Sequence, residues 1–174
     1  MYQKPEYMTV LKEMAMVNKD HPMIRFRGKL DSLQSKILEI QIAFQKLGLD
    51  VNGLEEVLSC TREIMRCEVV GRDFEEKPLL GMDSGEIHAR SHNPFKYYGI
   101  PHFTPGLEHG EAVILLNSLR AQVREVERVA YDAFKGENDG PERLDILRVL
   151  NRLSSLFYVM MFEMVSKDNP SSER

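Results

Sequence analysis

The sequence is poor in features that mark several common classes of protein. Its 174 residues contain two cysteines and no secretory signal, which argues against a disulfide-stabilised secreted domain and favours a reducing compartment. The net charge is −4 and no basic stripe dominates, which argues against a nucleic-acid-binding protein. The longest wholly apolar run, 156–162, is far shorter than the roughly 20 residues of a transmembrane helix. We therefore expect a soluble, cytoplasmic protein.

Familiar catalytic and metal-binding patterns are also missing. The chain has no internal repeat, no glycine-rich phosphate loop and no nucleophile-elbow pattern. Cys60 and Cys67 lie on one predicted helix, and we expect them to pack there, because a zinc site needs more ligands than two. His88 and His92 are spaced to share a metal, but a third protein ligand is not apparent. The roles of these two histidines and of His102 stay open.

Four long segments carry apolar residues at intervals of three and four, which predicts four long helices. They cover about 29–47, 52–70, 111–135 and 142–166, with a short helix over 83–90 in the irregular region 72–110. Gly48 and Gly71 are placed to end the first two helices. No alternating strand pattern is visible. The sequence therefore predicts a single all-α domain, an antiparallel bundle of four long helices plus one short helix.

The two ends of the chain lack this periodicity. Residues 1–28 carry no sustained apolar stripe, but Lys19, Arg25 and Arg27 in this leader could donate to a phosphate-bearing ligand. The leader is accordingly either unstructured or a segment that orders over such a ligand. We divide the domain into this leader, a bundle over 29–166 and a disordered tail over 167–174.

The predicted helix over 111–135 carries polar residues beside its apolar stripe. Arg120, Arg124, Glu127 and Tyr131 follow one another at helical spacing, so two guanidinium groups and a carboxylate adjoin the core-facing side. An ordinary alternative is a surface pair of Arg124 and Glu127, which contributes a few tenths of a kcal/mol. In the last helix, Asn151 lies among apolar neighbours and needs a polar partner. These patterns indicate a bundle with a polar, arginine-bearing seam.

The irregular region holds a cluster of aromatic and proline residues over 94–105. Tyr97, Tyr98, Ile100 and Phe103 lie within it. A loop of this length and composition is often a lid or the wall of a pocket. The alternative is an ordinary connector that aromatic packing holds in place.

The same segments resemble the ATP:cob(I)alamin adenosyltransferases. The stretches LRAQVREVER at 119–128 and VLNRLS at 149–154 are similar to that family's paired signatures, which read approximately Arg-x-x-x-Arg-Arg-x-Glu-Arg and Tyr-Leu-Asn-Arg-Leu-Ser-Asp. Residues 19–22 and 30–32 resemble two further family segments. The ethanolamine-utilisation branch is the most similar, through the following stretches: 4–11, 26–32, 91–94 and 150–155. The resemblance spans nearly the whole chain in the expected order.

This resemblance implies a transferase that moves the 5′-deoxyadenosyl group of ATP to the cobalt of reduced cobalamin. The products would be adenosylcobalamin and a tri- or polyphosphate. It further implies a five-helix bundle that assembles into homotrimers, with Mg²⁺ beside the ATP and active sites between subunits. In ethanolamine utilisation the recipient would be an adenosylcobalamin-dependent ethanolamine ammonia-lyase, in the cytoplasm or in a bacterial microcompartment. No nucleic acid and no membrane partner is expected.

The resemblance also implies roles for particular residues. It assigns contacts with ATP to Thr9, Lys19, Arg124, Glu127, Arg128 and Asn151. Of these, Arg124 and Glu127 would be catalytic, with Glu127 a possible ligand of Mg²⁺. Phe103 resembles the aromatic residue that closes the corrinoid face, and we expect Tyr97, Tyr98 and Ile100 to extend that wall. Asp31 and Arg120 match an ion pair across the subunit boundary.

Three departures from the family pattern matter. Glu125 replaces the second arginine of the signature, which removes one possible phosphate donor. Ser155 replaces the aspartate that follows the second signature, although the ethanolamine branch also has serine there. Members of that branch carry an N-terminal extension with a cysteine-rich metal motif that ends just before the segment matched by 4–11. The chain is therefore expected to be either a metal-free variant or the catalytic core alone.

A function of a different class is a non-catalytic helical carrier or scaffold for adenosylcobalamin. Retention of Lys19, Arg124, Glu127 and Asn151 favours the enzyme, because a carrier has no need of a triphosphate site.

Overall fold

The computed structural model describes residues 5–11, 15–136 and 140–168. Its helices are α1 (Pro22–Lys46), α2 (Asn52–Val70), α3 (Ser84–His92), α4 (Pro94–Tyr98), α5 (Gly110–Ala133) and α6 (Leu144–Asp168). Two short strands, β1 (Met8–Val10) and β2 (Met16–Asn18), precede them, and a 3-10 turn (Leu107–His109) precedes α5. The predicted helical bundle with four long helices is confirmed.

The core forms where the apolar stripes of the long helices meet. Helix α5 packs against both α1 and α6, and its stripe residues are fully buried: Leu116, Leu119, Val123, Val126 and Ala130. Burying one such aliphatic side chain larger than alanine contributes about 1.5–3 kcal/mol. Glu127 contacts Asn151, and Arg120 contacts Tyr158. Residue numbers therefore increase along α5 in the direction in which they decrease along α6. The two helices are therefore antiparallel.

Helix α1 begins at Pro22, one and a half to two turns before the predicted start at residue 29. Proline suits the first turn of a helix, because its missing N–H would have no intrahelical partner there. The His21 side chain accepts a hydrogen bond from the Met23 N–H at 3.2 Å, and the buried Phe26 extends the apolar stripe backward. The predicted start was wrong because residues 22–28 include only part of the apolar stripe and were assigned to the leader.

The expectation that the chain has no strand was also wrong. β1 and β2 form an antiparallel hairpin in which Thr9 lies opposite Val17. Each strand has three residues, which is too short for an alternating pattern to show. The part of the leader before α1 therefore contains regular structure, while residues 1–4 and 12–14 lie outside the described residues.

The irregular region contains two short helices where one was predicted. α3 runs two residues beyond the predicted end at residue 90, and α4 follows at once. Asp83 caps α3 by accepting from the Glu86 N–H at 2.7 Å. Pro94 begins α4, and Gly99 ends it with a φ of 67°, in the left-handed region that favours glycine. A five-residue helix is too short to show an apolar period, so the sequence does not reveal α4.

The bounds of α6 also differ from the prediction. Helix α6 starts at Leu144, two residues after the predicted start at residue 142. The preceding Pro141 pairs with Lys135 in an isolated bridge and is not helical. The helix extends to Asp168, so the first residues assigned to the disordered tail are helical. The rest of that predicted tail, 169–174, lies outside the described residues.

Two ion pairs connect α1 to its neighbours. Arg27 donates to both carboxylate oxygens of the buried Glu68 on α2, from Nε at 2.6 Å and from a terminal nitrogen at 3.2 Å. Arg27 is therefore committed to the fold and is not available as the phosphate donor that the sequence indicated. Lys29 pairs with Glu125 of α5 at 3.1 Å, so the residue that departs from the family signature supports helix packing instead.

The remaining candidates for metal or thiol chemistry are the two cysteines and the pair of His88 and His92. Both cysteines are free, Cys67 is buried as predicted, and burial raises the pKa of Cys60 to about 12. The rings of His88 and His92 lie 4.0 Å apart, and the described residues contain no group of three ligands for a metal. Within the same residues, no helix is both long and apolar enough to span a membrane.

Candidate active site

Two cavities lie end to end along the groove between α5 and α6. The arginine cavity, of about 430 Å³, is lined chiefly by Arg124, Glu127, Arg128, Tyr131, Asn151 and Ser154. The aromatic cavity, of about 480 Å³, is lined chiefly by His102, Phe103, Asn117, Arg120 and Tyr158. A larger cavity of about 630 Å³ lies between α2 and residues 72–79, but none of the predicted site residues lines it. The α5–α6 groove is therefore the candidate site.

The arginine cavity follows from helical geometry. Residues three and four apart share a face of a helix, and the two antiparallel helices bring their polar faces together. Asn151 of α6 donates from Nδ2 to Oε1 of Glu127 at 3.0 Å, so it has the predicted polar partner, although the residue is exposed and not buried among its apolar neighbours. This bond holds one carboxylate oxygen of Glu127, while Oε2 accepts no hydrogen bond from the described residues.

The cationic groups of this cavity are available to an anion. Arg124 and Arg128 are exposed, and no carboxylate of the described residues lies within ion-pair distance of either. The surface-pair alternative for Arg124 and Glu127 is not supported, because Glu127 bonds to Asn151 instead. Two guanidinium groups without a carboxylate partner form a site suited to phosphate oxygens.

The aromatic cavity is built partly from the loop that joins α4 to α5. The ring of Phe103 is stacked on His109 with centroids 4.5 Å apart and meets Phe162 edge-on at 5.2 Å. The Tyr158 hydroxyl donates to the Phe103 carbonyl at 3.2 Å. These contacts place an aromatic ring at the end of the groove, next to Arg120.

Arg120 lines the aromatic cavity one helical turn before Arg124. Its guanidinium lies 5.0 Å from the centre of the Tyr158 ring, in a cation–π contact. Burial, and then the charge of Arg124, lowers the pKa of Arg120. Asp31 is exposed on α1 and does not pair with Arg120 within the protomer. Arg120 is thus a partly desolvated cation without a carboxylate partner among the described residues.

Comparisons with known proteins identify the family of the chain. The family model described as cobalamin adenosyltransferase matches residues 2–164. The chain belongs to the cobalamin adenosyltransferase family. The resemblance drawn from the signatures at 119–128 and 149–154 is thereby confirmed.

Curated relatives of this family member include two corrinoid adenosyltransferases named EutT. The Escherichia coli K12 protein is 36% identical over 164 residues, which are 94% of this chain and 61% of that protein. The Salmonella typhimurium protein is 35% identical over the same shares of both chains. The chain therefore spans about 61% of the length of the curated relatives it matches.

A solved structure with a similar fold comes from Lactobacillus reuteri. It is a variant PduO-type ATP:corrinoid adenosyltransferase complexed with cobalamin and ATP, and its TM-score with this chain is 0.67. The alignment covers 95% of this chain and 92% of that chain at 18% identity. This likeness confirms the predicted helical fold of the family.

Some residues predicted for the site of this family member lie outside the groove. Thr9 is in β1 and Lys19 directly follows β2, and neither lines a cavity of the groove. The expected aromatic wall is also smaller than predicted. Tyr98 instead stacks on Phe162 at 5.6 Å, and Tyr97 faces the cations of α3 and α4. Ile100 does not line the aromatic cavity either, so Phe103 alone of the four predicted wall residues lines it.

Sequence reasoning missed three residues that complete the aromatic cavity or support its wall. Tyr158 lies seven residues after Asn151, which places both on one face of α6 two turns apart. That spacing is a signal that could have identified it. His102 and His109 flank Phe103 in the loop and the following turn, where no periodic pattern exists to indicate which way a side chain points.

Proposed function

We propose that this chain transfers the 5′-deoxyadenosyl group of ATP to the cobalt of reduced cobalamin, with adenosylcobalamin and a tri- or polyphosphate as products. The observation that carries the proposal is the α5–α6 groove, where the arginine cavity and the aromatic cavity are one helical turn apart. Arg124 lines the first and Arg120 the second. One groove can therefore hold a triphosphate at one end and a corrinoid at the other.

The chemistry requires few catalytic groups from the protein. Cobalt(I) is itself a strong nucleophile, so its electron pair forms the cobalt–C5′ bond while the C5′–oxygen bond breaks toward the triphosphate. The protein has to hold C5′ in line with cobalt and stabilise the negative charge that gathers on the leaving group. Arg124 and Arg128 supply guanidinium groups for that charge from one face of α5.

Glu127 and Asn151 fit a role beside a triphosphate-bound Mg²⁺. Magnesium in such sites is bound through one or two carboxylates together with phosphate oxygens. Glu127 has one oxygen held by Asn151 at 3.0 Å, which orients the carboxylate and leaves the other oxygen for the ion. The ion would neutralise charge on the triphosphate, and Asn151 would position Glu127.

We further propose that the active enzyme is a homotrimer with each site completed by a neighbouring subunit. Arg120 is partly buried beside a second arginine, and no carboxylate of the described residues pairs with it within its own protomer. The exposed Asp31 of a neighbour is the partner that the family resemblance assigns. An ion pair of this kind stabilises the interface and keeps Arg120 in place.

The hairpin of β1 and β2 is proposed to complete the ATP site from outside the groove. Thr9 and Lys19 lie on it, and the backbone N–H of Lys19 donates to the Tyr7 carbonyl at 2.9 Å, which attaches Lys19 to the hairpin. Lys19 is exposed and free to meet a phosphate. Because apolar residues of the hairpin such as Val10 and Met16 remain exposed, little burial holds it in place and its docking is expected to depend on bound ATP.

The adenosylcobalamin formed is proposed to serve ethanolamine utilisation, with ethanolamine ammonia-lyase as recipient, in the cytoplasm or in a microcompartment. The similarity to relatives named EutT supports this assignment.

The function is tested by anaerobic incubation of the protein with cob(I)alamin, ATP and Mg²⁺. The absorption spectrum should change to that of an alkyl-cobalt product, and omission of ATP should abolish the change. Absence of product under strong chemical reduction would exclude the adenosyltransferase. Binding of finished adenosylcobalamin without nucleotide affinity would instead identify a carrier.

A further inference from the structure

The loop that carries Phe103 is connected to α6 through Tyr158. The hydroxyl of Tyr158 donates to the Phe103 carbonyl at 3.2 Å. Residues 101–106 form neither helix nor strand, so no regular backbone hydrogen bonding fixes the distance between this loop and the groove. A bond between a helix side chain and the loop backbone supplies that constraint.

His102 adds a second connection to the same hydroxyl. Its Nδ1 lies 3.3 Å from the Tyr158 hydroxyl oxygen, and its ring is stacked on the Tyr158 ring with centroids 5.9 Å apart. Its Nε2 lies 3.3 Å from the carbonyl of His92 at the end of α3. Because a carbonyl can only accept, Nε2 is the donor in this contact, and in that neutral tautomer Nδ1 is an acceptor that shares the single hydroxyl proton of Tyr158 with the Phe103 carbonyl. His102 therefore bridges α3 to Tyr158. We call Tyr158, His102 and the Phe103 carbonyl the loop clasp.

The rings beside the clasp cannot by themselves set the position of Phe103. Stacked and edge-on ring contacts tolerate sliding, because they depend on shape and a broad electrostatic preference. A hydrogen bond to the backbone is more restrictive in distance and angle. The loop clasp therefore determines how far the Phe103 ring extends into the aromatic cavity.

We propose that Tyr158 is a positioning residue for Phe103, whose ring it holds against the cobalt-facing side of the corrinoid. The proposal rests on the proposed adenosyl transfer. Cobalt(II) without an axial ligand is easier to reduce than cobalt(II) that keeps one, and a closely held aromatic ring excludes that ligand. A loosened loop would readmit water, so it would slow a reaction that starts from cob(II)alamin, in which an added one-electron reductant converts cobalt(II) to cobalt(I), while sparing one that starts from cob(I)alamin.

The substitution Tyr158→Phe isolates the hydrogen bonds of the clasp. It keeps the ring that stacks on His102 and that lies 5.0 Å below the Arg120 guanidinium. It removes only the hydroxyl, and Tyr158 is half-buried, so the fold should tolerate the change. Ser166→Ala is a matched control, because it removes another α6 hydroxyl that donates to a carbonyl, that of Glu163 at 3.1 Å, away from the groove.

Two measurements test the clasp. Hydrogen exchange followed by mass spectrometry should show faster exchange over 101–106 in Tyr158→Phe and unchanged exchange in Ser166→Ala. With ATP and cob(II)alamin, the electron paramagnetic resonance signal of four-coordinate cobalt(II) should fall by roughly three- to tenfold, the effect of losing one hydrogen bond. The rate from cob(II)alamin should fall to a similar extent, and the rate from prereduced cob(I)alamin should stay within about twofold. His102→Ala should change both readouts in the same direction.

The outcomes separate the clasp from the proposed function. Unchanged exchange, or an unchanged cobalt(II) signal in a protein that makes adenosylcobalamin, would overturn the clasp alone. Equal losses from cob(II)alamin and cob(I)alamin would show a general packing role and overturn it as well. If the unaltered protein forms no product from cob(I)alamin, the adenosyltransferase assignment fails, while the exchange experiment still decides whether Tyr158 holds the loop.

Discussion

The two ends of the α5–α6 groove are built in different ways. At the arginine cavity, Arg124, Glu127 and Asn151 all project from long helices whose backbones are hydrogen-bonded throughout. At the aromatic cavity, Phe103 lies on an irregular loop that side-chain contacts hold against α6. Sites on helices hold their geometry better than sites on loops. The charge-stabilising end should therefore be rigid, and the corrinoid-facing end should be sensitive to a few tertiary contacts.

The largest expected effect is at the rigid end. Arg124→Ala should lower kcat by about 10²–10³-fold, as loss of a fixed donor to transition-state charge usually does. Arg124→Lys keeps the charge but loses the planar fork that can bind two oxygens, so it should lower kcat by roughly tenfold. Steady-state kinetics and sedimentation would show the loss of rate with assembly intact. Arg62→Ala, an exposed arginine on α2, is the matched control. A fully active Arg124→Ala would remove this residue from the site.

The second prediction concerns the stability of the fold outside the groove. There, as at the Phe103 loop, a side chain of α6 holds the backbone of an irregular segment, in this case at Phe74. Asp145 of α6 accepts from the Phe74 N–H at 2.7 Å and from Arg143. Burial raises the pKa of Asp145, but the bonds from Arg143 and from the Phe74 N–H outweigh it and bring the pKa to about 2. Asp145→Asn should then lower the free energy of unfolding at pH 7 by about 2 kcal/mol and leave kcat unchanged.

The pH dependence of that effect has a defined sign. Since the folded pKa is depressed, the stabilisation is present above the ordinary value of 3.8 and is lost as pH falls toward 2. Urea denaturation should show a large difference between Asp145→Asn and the unaltered protein at pH 7 and a small one at pH 2. Asp132→Asn, an exposed carboxylate on α5, should differ little at either pH. A difference that is independent of pH would contradict the assignment to the Asp145 charge.

At the loop end, Phe103→Ala should separate the two steps of the proposed reaction. Loss of the ring should lower the rate from cob(II)alamin about tenfold more than the rate from prereduced cob(I)alamin, because the ring excludes the axial ligand before reduction. The two rates are compared under identical ATP and Mg²⁺. Phe95→Ala removes a ring that is 70% exposed on α4 and should affect neither rate. Equal losses for Phe103→Ala would indicate a packing defect.

The fourth prediction tests whether the aromatic cavity, which Arg120 lines, also depends on a second subunit. Arg120→Ala and Asp31→Ala should each weaken assembly, because each leaves the other charge unpaired at the interface. In a double-mutant cycle read by sedimentation, the coupling between the two residues should be about 1–2 kcal/mol. Additive effects would mean that the two side chains never meet.

The smallest expected effect is at the hairpin. Proteolysis between residues 15 and 21 should be several-fold slower with Mg²⁺ and ATP than without nucleotide, because the hairpin docks over bound ATP. Lys19→Ala should reduce this protection. The segment predicted to order with ATP extended to Arg27. Because α1 begins at Pro22, only the residues before Pro22 are now expected to order when ATP binds. Equal protection without nucleotide would refute the prediction.

Periodicity revealed the parts of the molecule that consist of long helices. Spacings of three and four identified the core stripe of α5 and, beside it, Arg124 and Glu127, because a helix repeats every 3.6 residues whatever it packs against. The same rule placed Asn151 on α6 and required a partner for it. These positions could be predicted because local geometry alone decides which residues share a face.

Tertiary structure decided which faces meet and how the irregular segments run. The partner of Asn151 is Glu127, 24 residues away, which no spacing rule reveals. Likewise, Arg27 is held by Glu68 and Phe103 by Tyr158, and both contacts join residues far apart in the chain. Their energies come from burial and hydrogen bonding between separate elements, whereas helical periodicity reports only on residues within about one turn of each other.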